Sequence, residues 1–468
     1  MKIYDRLYGE MKFPSIIQEL LNCPGLLRLR DVRMANNQFV AFPSFASASR
    51  YEHSLGVCYL ASICAKNLQL DEKDAIELMI ACLYHDVGTP PFAHAMEEVL
   101  QAKFGFDHEQ NLKDLIMGTN GSFDGTLAQI YQGQSLKLIS VCQGSKARRL
   151  GIDLHRIAKL ASGDAGECLS PLVNSKGIDL DNIDNIFRAS SAMGLIFTDC
   201  GKLAKCLANA FCISEGKIYL NELYNMEIAE WQRIRDLQYT AIFESIDDFA
   251  YQTMIKKAIG YLLEEDEKVI PLDINSWRLT DSEITYNFLL KHKKSREIMQ
   301  RVLLCRPFTC LGIFYIKGKG AAAFINNHLV VIEDEVREFL LSKIGKTKEK
   351  DADFFENHPV FANFYPDKRK RSIRNLKNLW YQQERIQKDE KKIEGALLGL
   401  FTPYGNSFYI EQKEDDQKKC RKLVSIRKEA IEEILKKGIL KNFEISLYGS
   451  EGNDKPDTDF KPSQLGFF

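Results

Sequence analysis

The sequence predicts a mainly α-helical protein with a smaller α+β region towards its C-terminal end. Apolar residues recur at helical spacing between about residues 50 and 315, and this stretch shows few of the alternating patterns that are typical of strands. Beyond about Phe308, short β-branched and aromatic runs flank glycine-rich turns. We therefore expect a helical domain at residues 1–315 and an accessory α+β domain at residues 316–468, which ends in a loose tail.

The helical domain has three predicted parts. Residues 1–50 form a lead-in with short helices, one of them at residues 16–21. Residues 74–83 read as a core helix with little polar surface, and residues 220–255 as one or two long amphipathic helices. In the accessory domain we predict strands at residues 313–316 and 329–332, a hairpin within residues 397–410 and a charged helix at residues 416–437.

The charge balance limits the classes of partner. The 468 residues include 63 Lys and Arg against 64 Asp and Glu, a formal net charge of −1. Such a chain has no overall field that attracts nucleic acid, so any site for a polyanion must be a local patch. The length is enough for a large core and for more than one domain.

The cysteines and the apolar segments indicate a cellular compartment. The twelve cysteines are scattered singly, and several of them, such as Cys58, Cys64 and Cys82, lie on apolar helix faces. We interpret them as reduced core residues of a cytoplasmic protein. The first residues lack the apolar segment of a secretion signal, and no window is long and apolar enough to span a membrane. We therefore expect neither secretion nor a membrane partner.

An adjacent histidine and aspartate, His85 and Asp86, follow the predicted helix at residues 74–83. Gly88 and the two prolines after it end that helix, because proline lacks an amide hydrogen and disfavours helix in the preceding residue. The pair is thus expected at a helix C-terminus, held by packed chain on both sides. A pair of metal ligands requires rigid mounting of this kind.

Two further segments carry side chains suited to complete such a site. His53 opens a second apolar helix. A third segment has a polar stripe at i, i+3, i+4 and i+7 spacing, made of Asp181, Asp184, Asn185 and Arg188. An acidic and amide stripe on an otherwise apolar helix is typical of a cavity wall.

The candidate metal ligands are His53, His85, Asp86 and Asp181. Two imidazoles and two carboxylates suit Mn²⁺, Fe²⁺, Mg²⁺ or Zn²⁺ and leave positions open for water and phosphate oxygens. Taken singly, each histidine has the alternative of a core residue and each aspartate that of a helix cap. Capping gives no reason for a histidine beside Asp86, so the combination favours a divalent metal site.

Several short sequence blocks lie around these candidates in a defined order. They are Cys-Pro-Gly-Leu-Leu-Arg-Leu-Arg at 23–30, Phe-Pro-Ser at 42–44, Arg-Tyr-Glu-His-Ser-Leu-Gly-Val at 50–57, His-Asp at 85–86, His-Glu-Gln at 108–110, Ile-Asp-Leu-Asp at 178–181 and, more weakly, Trp-Arg-Leu-Thr-Asp at 277–281. In order and spacing they resemble the HD-domain phosphohydrolases. The resemblance is to the deoxynucleoside triphosphate (dNTP) triphosphohydrolase branch, which includes the sterile-alpha-motif/HD and bacterial dGTPase-like enzymes. It covers about two-thirds of the chain and implies an HD-domain helical core.

This resemblance implies a reaction, residue roles and an assembly. The reaction is metal-dependent hydrolysis of a dNTP at the α-phosphate, which releases deoxynucleoside and triphosphate. Histidines at the places of His94 and His108 help in this family to activate water or to protonate the leaving oxygen; the alternative is a histidine that only forms hydrogen bonds beside the site. The resemblance also implies homo-oligomers, a nucleotide effector and, by analogy, a role in limiting dNTP pools or in antiviral defence.

Two charged residues are further candidates for the catalytic group. Arg50 precedes His53 by three residues, and its guanidinium is suited to hold a phosphate through two hydrogen bonds. The alternative for Arg50 is a surface ion pair with Glu52. Glu97 lies one turn beyond His94 and is suited to orient it, whereas the alternative is a solvated carboxylate on the helix surface.

The residues expected around the substrate depart from the family's pattern. Thr89 stands where close relatives have a histidine, Asn182 replaces a triphosphate-binding lysine, and Asn185 replaces a tyrosine. Ala189 replaces an aspartate that would hold the sugar 3′-hydroxyl, and Met34 replaces a sugar-contacting glutamine. We keep Thr89, Asn182 and Asn185 as candidates for substrate binding, while the identity of the substrate stays open.

A basic cluster that begins at Lys368 and ends at Lys377 lies near Trp380 and Tyr381. It is a candidate patch for nucleic acid or for a regulatory nucleotide at a subunit contact, and a solvated charged face is the alternative. The favoured function is therefore dNTP hydrolysis. Two other functions stay open: a phosphodiesterase or nuclease on single-stranded nucleic acid or another nucleotide, and a nucleotide-sensing subunit with little catalysis.

Overall fold

The chain divides into two compact units. A computed structural model describes residues 2–35, 41–118, 144–175, 177–196, 198–264, 274–344, 360–366, 395–403 and 426–448. Among these residues the first unit ends at Pro307 and the second begins at Phe308. The predicted domain boundary between residues 315 and 316 therefore falls inside the first strand of the second unit, Thr309–Lys317.

The first unit is built mainly from helices, which confirms the predicted fold class. In chain order they are α1 (Ser15–Leu20), α2 (Pro24–Arg28), α3 (Pro43–Ala46), α4 (Arg50–Asn67), α5 (Glu72–Tyr84), α6 (His94–Phe104), α7 (His108–Met117), α8 (Ser145–Leu150), α9 (Leu154–Ala161), α10 (Leu180–Ala192), α11 (Cys200–Ala208), α12 (Asn225–Glu244), α13 (Ile246–Glu264), α14 (Asp281–Ile284) and α15 (Lys293–Leu303). Single 3₁₀ or π turns occupy Leu29–Asp31, Ser170–Leu172, Glu222–Tyr224, Ile274–Arg278 and Thr285–Leu289.

Two antiparallel hairpins interrupt this helical unit, and the sequence patterns did not predict either. They are β1 (Lys2–Asp5) with β2 (Gly9–Lys12), and β3 (Phe211–Ser214) with β4 (Lys217–Leu220). Strands of four residues are too short for an alternating pattern to stand out from the background. The short helix predicted at residues 16–21 corresponds to α1, and the long amphipathic segment at residues 220–255 corresponds to α12 and α13.

Side-chain caps define where the helices of the site begin. At the start of α4 the Ser49 hydroxyl accepts a hydrogen bond from the amide of Glu52, and Asp71 caps α5 in the same way. Asp179 caps α10 by accepting from the amide of Asn182. These caps satisfy amides that the first turn of a helix leaves without partners, so they determine which residues lie in that turn.

The core of the first unit holds these helices together. α4 packs against both α5 and α10. Fully buried apolar side chains line these contacts, among them Val57, Leu60, Leu78, Ile80 and Ile183. Each such side chain contributes about 1.5–3 kcal/mol by its removal from water. Residues 76–84 of α5 are all buried, as expected for a core helix, and the cysteines that the structure describes are free thiols.

The second unit contains one antiparallel sheet and two described helices. The sheet consists of β5 (Thr309–Lys317), β6 (Phe361–Pro366), β7 (Gly395–Thr402) and β8 (Glu444–Leu447) in the order β6-β7-β5-β8. The helices are α16 (Ala321–Ile344) and α17 (Lys428–Lys437). β5 confirms the predicted strand at residues 313–316. The second half of the hairpin predicted at 397–410 and the first half of the helix predicted at 416–437 lie outside the described residues.

The predicted strand at residues 329–332 is wrong, because this segment lies within α16. Its β-branched residues favour a strand locally. The longer pattern favours a helix, since Ile332, Val336 and Leu340 are fully buried at helical spacing after a kink at His328. Val330 and Val331, by contrast, are exposed on the other side of the helix. Tertiary packing of one helical face thus overrides local propensity.

Among the residues that the structure describes, none of the helices combines the length and the apolar character needed to cross a membrane. The basic cluster from Lys368 to Lys377 lies outside the described residues, as do Trp380 and Tyr381.

Candidate metal centre

Two helices of the first unit bring the candidate histidines together. His53 lies in the first turn of α4, and His85 follows directly on the last residue of α5. The Nε2 atoms of the two rings are 3.2 Å apart, and the rings meet edge to face with centroids 5.1 Å apart. The sequence therefore correctly placed both histidines at helix ends, although they are separated along the chain.

Asp181 joins this pair from the first turn of α10. Its Oδ1 lies 2.8 Å from Nε2 of His53 and 3.5 Å from Nε2 of His85. One ligand atom from each of these three residues thus falls within 4.8 Å of the other two, a spacing that can hold a metal ion. The cap formed by Asp179 determines the register of α10 and hence the position of Asp181.

Asp86 lies at the edge of the same cluster. Its Oδ2 is 3.6 Å from Nε2 of His85 and 3.9 Å from Nε2 of His53. Arg50 donates from Nη1 to the same oxygen at 2.7 Å, and the Thr89 hydroxyl donates to Oδ1 at 3.0 Å. The four predicted ligands therefore lie together, with Asp86 held in place by two neighbours.

Hydrogen bonds on the far side of each ring orient the two histidines. Nδ1 of His85 lies 2.8 Å from the carbonyl oxygen of Cys82, and Nδ1 of His53 lies 2.7 Å from Oδ1 of Asp184. Both partners are acceptors, so each Nδ1 carries a hydrogen, and each Nε2 is the ring nitrogen directed into the cluster. A hydrogen bond of this kind is the usual support of a histidine that ligates a metal.

The electrostatics of the cluster favour a positive charge at its centre. Burial opposes ionisation of His53, but hydrogen bonds to Asp181 and Asp184 outweigh it and raise the pKa of His53 to about 10. Burial also opposes ionisation of Asp86, yet the nearby Arg50 and the histidines hold its pKa well below the usual range. The donor set of two imidazoles and two carboxylates therefore fits a divalent cation of the first transition row or Mg²⁺.

A second cluster joins the other predicted catalytic residues. Glu97 lies one turn into α6, and its two oxygens are shared: Oε2 is 3.1 Å from Nδ1 of His94 and Oε1 is 2.5 Å from Nδ1 of His108. The side chain of Glu97 is 19% exposed, against 70% for His94 and 43% for His108. Glu97 is therefore partly buried rather than fully solvated, it contacts His94, and it also contacts a second histidine that the sequence did not link to it.

Glu97 and His108 shift each other's protonation. Burial opposes ionisation of Glu97, but hydrogen bonds to His108 and His94 keep its pKa well below the usual range. The hydrogen bond to Glu97 raises the pKa of His108, and the charges of Glu109 and Asp86 add to this effect. The contact between Glu97 and His108 therefore favours a charged carboxylate and a charged imidazole.

The chain between the two clusters follows a strained path. Phe92 and Ala93, directly before α6, have positive φ angles of 53° and 47°. Non-glycine residues rarely adopt this conformation, and it persists only where the surroundings impose it. Here the amide of Phe92 donates to Oδ1 of the buried Asp281 at 2.9 Å, while Oδ2 of Asp281 accepts from the amide of Arg33.

The buried Arg28 holds the same path from the other side. Its Nη2 donates to the carbonyl oxygens of Val87 and Thr89, and its Nη1 donates to those of Trp277 and Leu279. The turn after the His-Asp pair is thereby tied to a segment nearly two hundred residues further along the chain. Arg28 and Asp281 belong to blocks that carried the family resemblance, but nothing in the sequence indicated this structural role.

Arg50 does not form the surface ion pair that was the alternative to its predicted contact with a phosphate. It is 13% exposed and pairs with Asp86, so the surface ion pair with Glu52 is not what the structure shows. Its Nε is buried and has no hydrogen-bond partner among the described residues. The guanidinium therefore stabilises Asp86, a candidate metal ligand, without using its Nε hydrogen.

The candidate substrate residues differ in their surroundings. The hydroxyl of Thr89 is bound to Asp86, and the amide nitrogen of Asn182 lies 3.0 Å from each oxygen of Asp179. Asn185 is half-buried, one turn beyond Asp181 on α10. Further along this helix Ala189 lies in a small apolar cluster with Ala35, Phe45, Ala46 and Met193, against which Met34 packs. Apolar side chains therefore stand where the family resemblance implies contacts to the sugar.

The stretch that carries three of the four candidate ligands is similar to the HD domain. Residues 50–122 match the HD domain by sequence, and this stretch includes His53, His85 and Asp86.

Individual relatives agree with the resemblance. The chain is 25% identical over 319 residues to the deoxynucleoside triphosphate triphosphohydrolase SAMHD1 homolog of Dictyostelium discoideum, which covers 64% of this chain and 58% of that protein. It is 33% identical over 102 residues to deoxynucleoside triphosphate triphosphohydrolase SAMHD1 of Homo sapiens, covering 20% of this chain and 16% of that protein. It is 22% identical over 313 residues to an uncharacterized protein of Methanocaldococcus jannaschii, covering 64% and 59%. The chain thus spans about three-fifths or less of these relatives' lengths.

Proposed function

We propose that the protein is a metal-dependent phosphohydrolase that converts dNTPs to deoxynucleoside and triphosphate. The observation that carries this proposal is the convergence of His53, His85 and Asp181 from three helices to within 4.8 Å, with Asp86 beside them. The similarity to deoxynucleoside triphosphate triphosphohydrolases of Dictyostelium discoideum and Homo sapiens supports the choice of dNTPs.

In this proposal His53, His85, Asp86 and Asp181 hold a divalent cation, for which Mn²⁺, Mg²⁺, Fe²⁺ and Zn²⁺ are the candidates. When bound, the cation supplies Lewis-acid polarisation of a phosphoryl oxygen. Arg50 keeps Asp86 ionised and oriented, and in this proposal its guanidinium also binds a phosphate oxygen of the substrate.

His94, His108 and Glu97 handle the protons of the reaction. Hydrolysis at the α-phosphorus takes one proton from the attacking water and delivers one to the 5′-oxygen as the bond between phosphorus and this oxygen breaks. Glu97 engages Nδ1 of both histidines, so Nε2 is the atom of each ring that exchanges a proton with the substrate. His108, whose pKa is raised, is the proton donor, and the more exposed His94 assists the water.

A substrate panel tests this function. The purified protein is incubated with Mn²⁺ or Mg²⁺ and with each dNTP, each NTP and a short single-stranded DNA. The variants His85→Ala and Asp86→Ala remove candidate ligands, and His155→Ala removes an exposed histidine on α9 as a matched control. We expect triphosphate from dNTPs with the wild type and with His155→Ala, and a loss of at least about a hundredfold with the two ligand variants.

Other outcomes of the panel support other functions. Shortened oligonucleotides without triphosphate release indicate a phosphodiesterase or nuclease, which the apolar surroundings of Ala189 favour because they offer no hydrogen bond to a free sugar hydroxyl. Thermal stabilisation by a nucleotide without turnover indicates a sensing subunit. Either result contradicts the dNTP proposal.

We also propose that the protein forms homo-oligomers and responds to a nucleotide effector. The resemblance to the dNTP triphosphohydrolases is the reason for both proposals. Light scattering coupled to size-exclusion chromatography, with and without each nucleotide, measures the assembly directly. A monomer under every condition contradicts this part of the proposal.

A further inference from the structure

The Asp184 side chain is buried behind His53 and binds it on the face opposite to the metal-ligand cluster. Its Oδ1 is 2.7 Å from Nδ1 of His53, and both side chains are buried. Whichever way this carboxylate is oriented, the His53 ring must follow. The position of Nε2 of His53 therefore depends on what holds Asp184.

Three donors besides His53 hold Asp184 in one orientation. Arg188, one turn further along α10, donates from Nε to Oδ1 at 2.8 Å and from Nη2 to Oδ2 at 3.0 Å. The Tyr8 hydroxyl donates to Oδ2 at 2.7 Å. A carboxylate bound in this way at both oxygens cannot rotate without breaking charge-assisted hydrogen bonds.

The β1–β2 hairpin supplies the outer part of this network. Arg188 donates from Nη1 to Oδ2 of Asp5, so its guanidinium joins two buried carboxylates. Oδ1 of Asp5 accepts from the amides of Leu7 and Tyr8 and thus shapes the turn that carries the Tyr8 ring. Nζ of Lys205 donates to the carbonyl oxygen of Tyr8 and holds the same turn from α11.

Two glycines leave room for the network. Gly56 lies on α4 three residues after His53, and a Cβ atom there would be 2.0 Å from Oδ2 of Asp184 and 2.4 Å from Nη2 of Arg188. Gly201 lies on α11, and a Cβ atom there would be 1.9 Å from the carbonyl oxygen of Leu7. Both helices therefore accommodate the network only because these positions lack a side chain.

We infer that Asp184 is a positioning residue of the metal centre and that the β1–β2 hairpin, through Tyr8 and Asp5, is a structural part of that centre. The inference rests on the proposed metal site. The network keeps a hydrogen on Nδ1 of His53 and directs Nε2 towards His85 and Asp181, where a bound cation would replace the proton on Nε2. An amide in place of Asp184 can instead donate to Nδ1, which moves the hydrogen to Nε2 and removes the lone pair from the cluster.

The test measures metal binding by the full chain, not hydrolysis. Wild type, Asp184→Asn and Tyr8→Phe are titrated with Mn²⁺ by calorimetry and with Co²⁺ by visible absorption. The matched control is Glu77→Gln, the same chemical change at a buried carboxylate that pairs with Arg156 away from the site. We expect Asp184→Asn to bind about 10–100-fold more weakly and with an altered Co²⁺ spectrum. Tyr8→Phe should show a smaller loss, and Glu77→Gln should bind as the wild type does.

The possible results separate the inference from the proposed function. Wild-type affinity in Asp184→Asn overturns the inference and leaves the proposed function standing. A wild type that binds no divalent cation overturns both. If circular dichroism shows that Asp184→Asn does not fold, the affinity of Tyr8→Phe is the deciding measurement. This variant removes one hydrogen bond and keeps the ring, and an unchanged affinity overturns the inference. A loss of affinity in Glu77→Gln as large as that in Asp184→Asn also overturns it.

Discussion

His53 and His85 present the same nitrogen to the metal-ligand cluster, but their opposite nitrogens have different partners. The partner of His53 is a carboxylate, whereas that of His85 is a backbone carbonyl oxygen. A carboxylate makes the imidazole a stronger base and a stronger ligand. The two histidines are therefore not equivalent, and His53 forms the firmer attachment to a cation.

The pKa of His53, about 10, gives metal binding a defined pH dependence. Below this pH the ring holds a proton that a cation must displace, and above it the competition disappears. We expect the apparent affinity for Mn²⁺ to rise about tenfold per pH unit near pH 8, with about one proton released per ion. Calorimetry in two buffers of different ionisation heat measures this proton. Equal heats in both buffers contradict the prediction.

Glu97 contacts Nδ1 of both proposed catalytic histidines and raises the pKa of His108. We expect Glu97→Gln to lower kcat by about a hundredfold or more, because neither histidine keeps its orientation or its charge partner. The pKa of His108 should fall, so the alkaline limb of the pH–rate profile should move to lower pH. The control is Glu98→Gln on the same helix, whose carboxylate pairs with Lys256. A profile that keeps its alkaline limb in Glu97→Gln excludes His108 as the proton donor.

At the level of single residues, the sequence indicated the candidate metal ligands but not the residues that orient them. His85 and Asp86 were recognisable because proline and glycine end the helix beside them, and Asp181 because it heads a polar stripe. The same stripe contained Asp184 and Arg188. Their role stayed hidden because Tyr8 is 176 residues from Asp184, and no local pattern records a contact of that range.

At the level of elements, α4 carries both the candidate ligand His53 and Gly56, whose missing side chain leaves room for Asp184 and Arg188. Gly56→Ala would place a methyl group against Asp184 and Arg188, so we expect a loss of about 1–3 kcal/mol in stability and weaker metal binding. Gly260→Ala on α13 is the matched control, since a Cβ atom there meets nothing within 4 Å. It should stabilise the protein by about 0.5–1 kcal/mol through helix propensity. Urea unfolding measures both, and equal effects contradict the prediction.

The elements themselves were predictable where a long pattern existed. The buried run of α5 and the paired helices α12 and α13 follow directly from apolar spacing. The four-residue strands β1 and β2 carry too little pattern, and they form because the Asp5 turn docks onto Arg188. The strand predicted at residues 329–332 was wrong because valine favours strands locally, whereas the buried face of Ile332, Val336 and Leu340 makes the segment helical.

At the level of the whole molecule, every residue of the proposed centre lies in the first compact unit. We expect a chain that ends at Pro307 to bind Mn²⁺ with an affinity within about threefold of the full chain, because it keeps all four ligands and the network behind them. If the cluster from Lys368 to Lys377 binds nucleic acid, the shortened chain should lose that binding alone. Calorimetry and a filter-binding assay measure the two properties. Loss of metal binding contradicts the prediction.

The network between the β1–β2 hairpin and α10 also has a consequence for biosynthesis. The ribosome makes Asp5 183 residues before Arg188, its buried cationic partner. Until α10 has been synthesised, the Asp5 carboxylate lacks the guanidinium of Arg188, so burial of the hairpin is unfavourable. The hairpin therefore reaches its folded surroundings only after α10 has been synthesised, and the candidate metal centre is complete only when this contact over 183 residues forms.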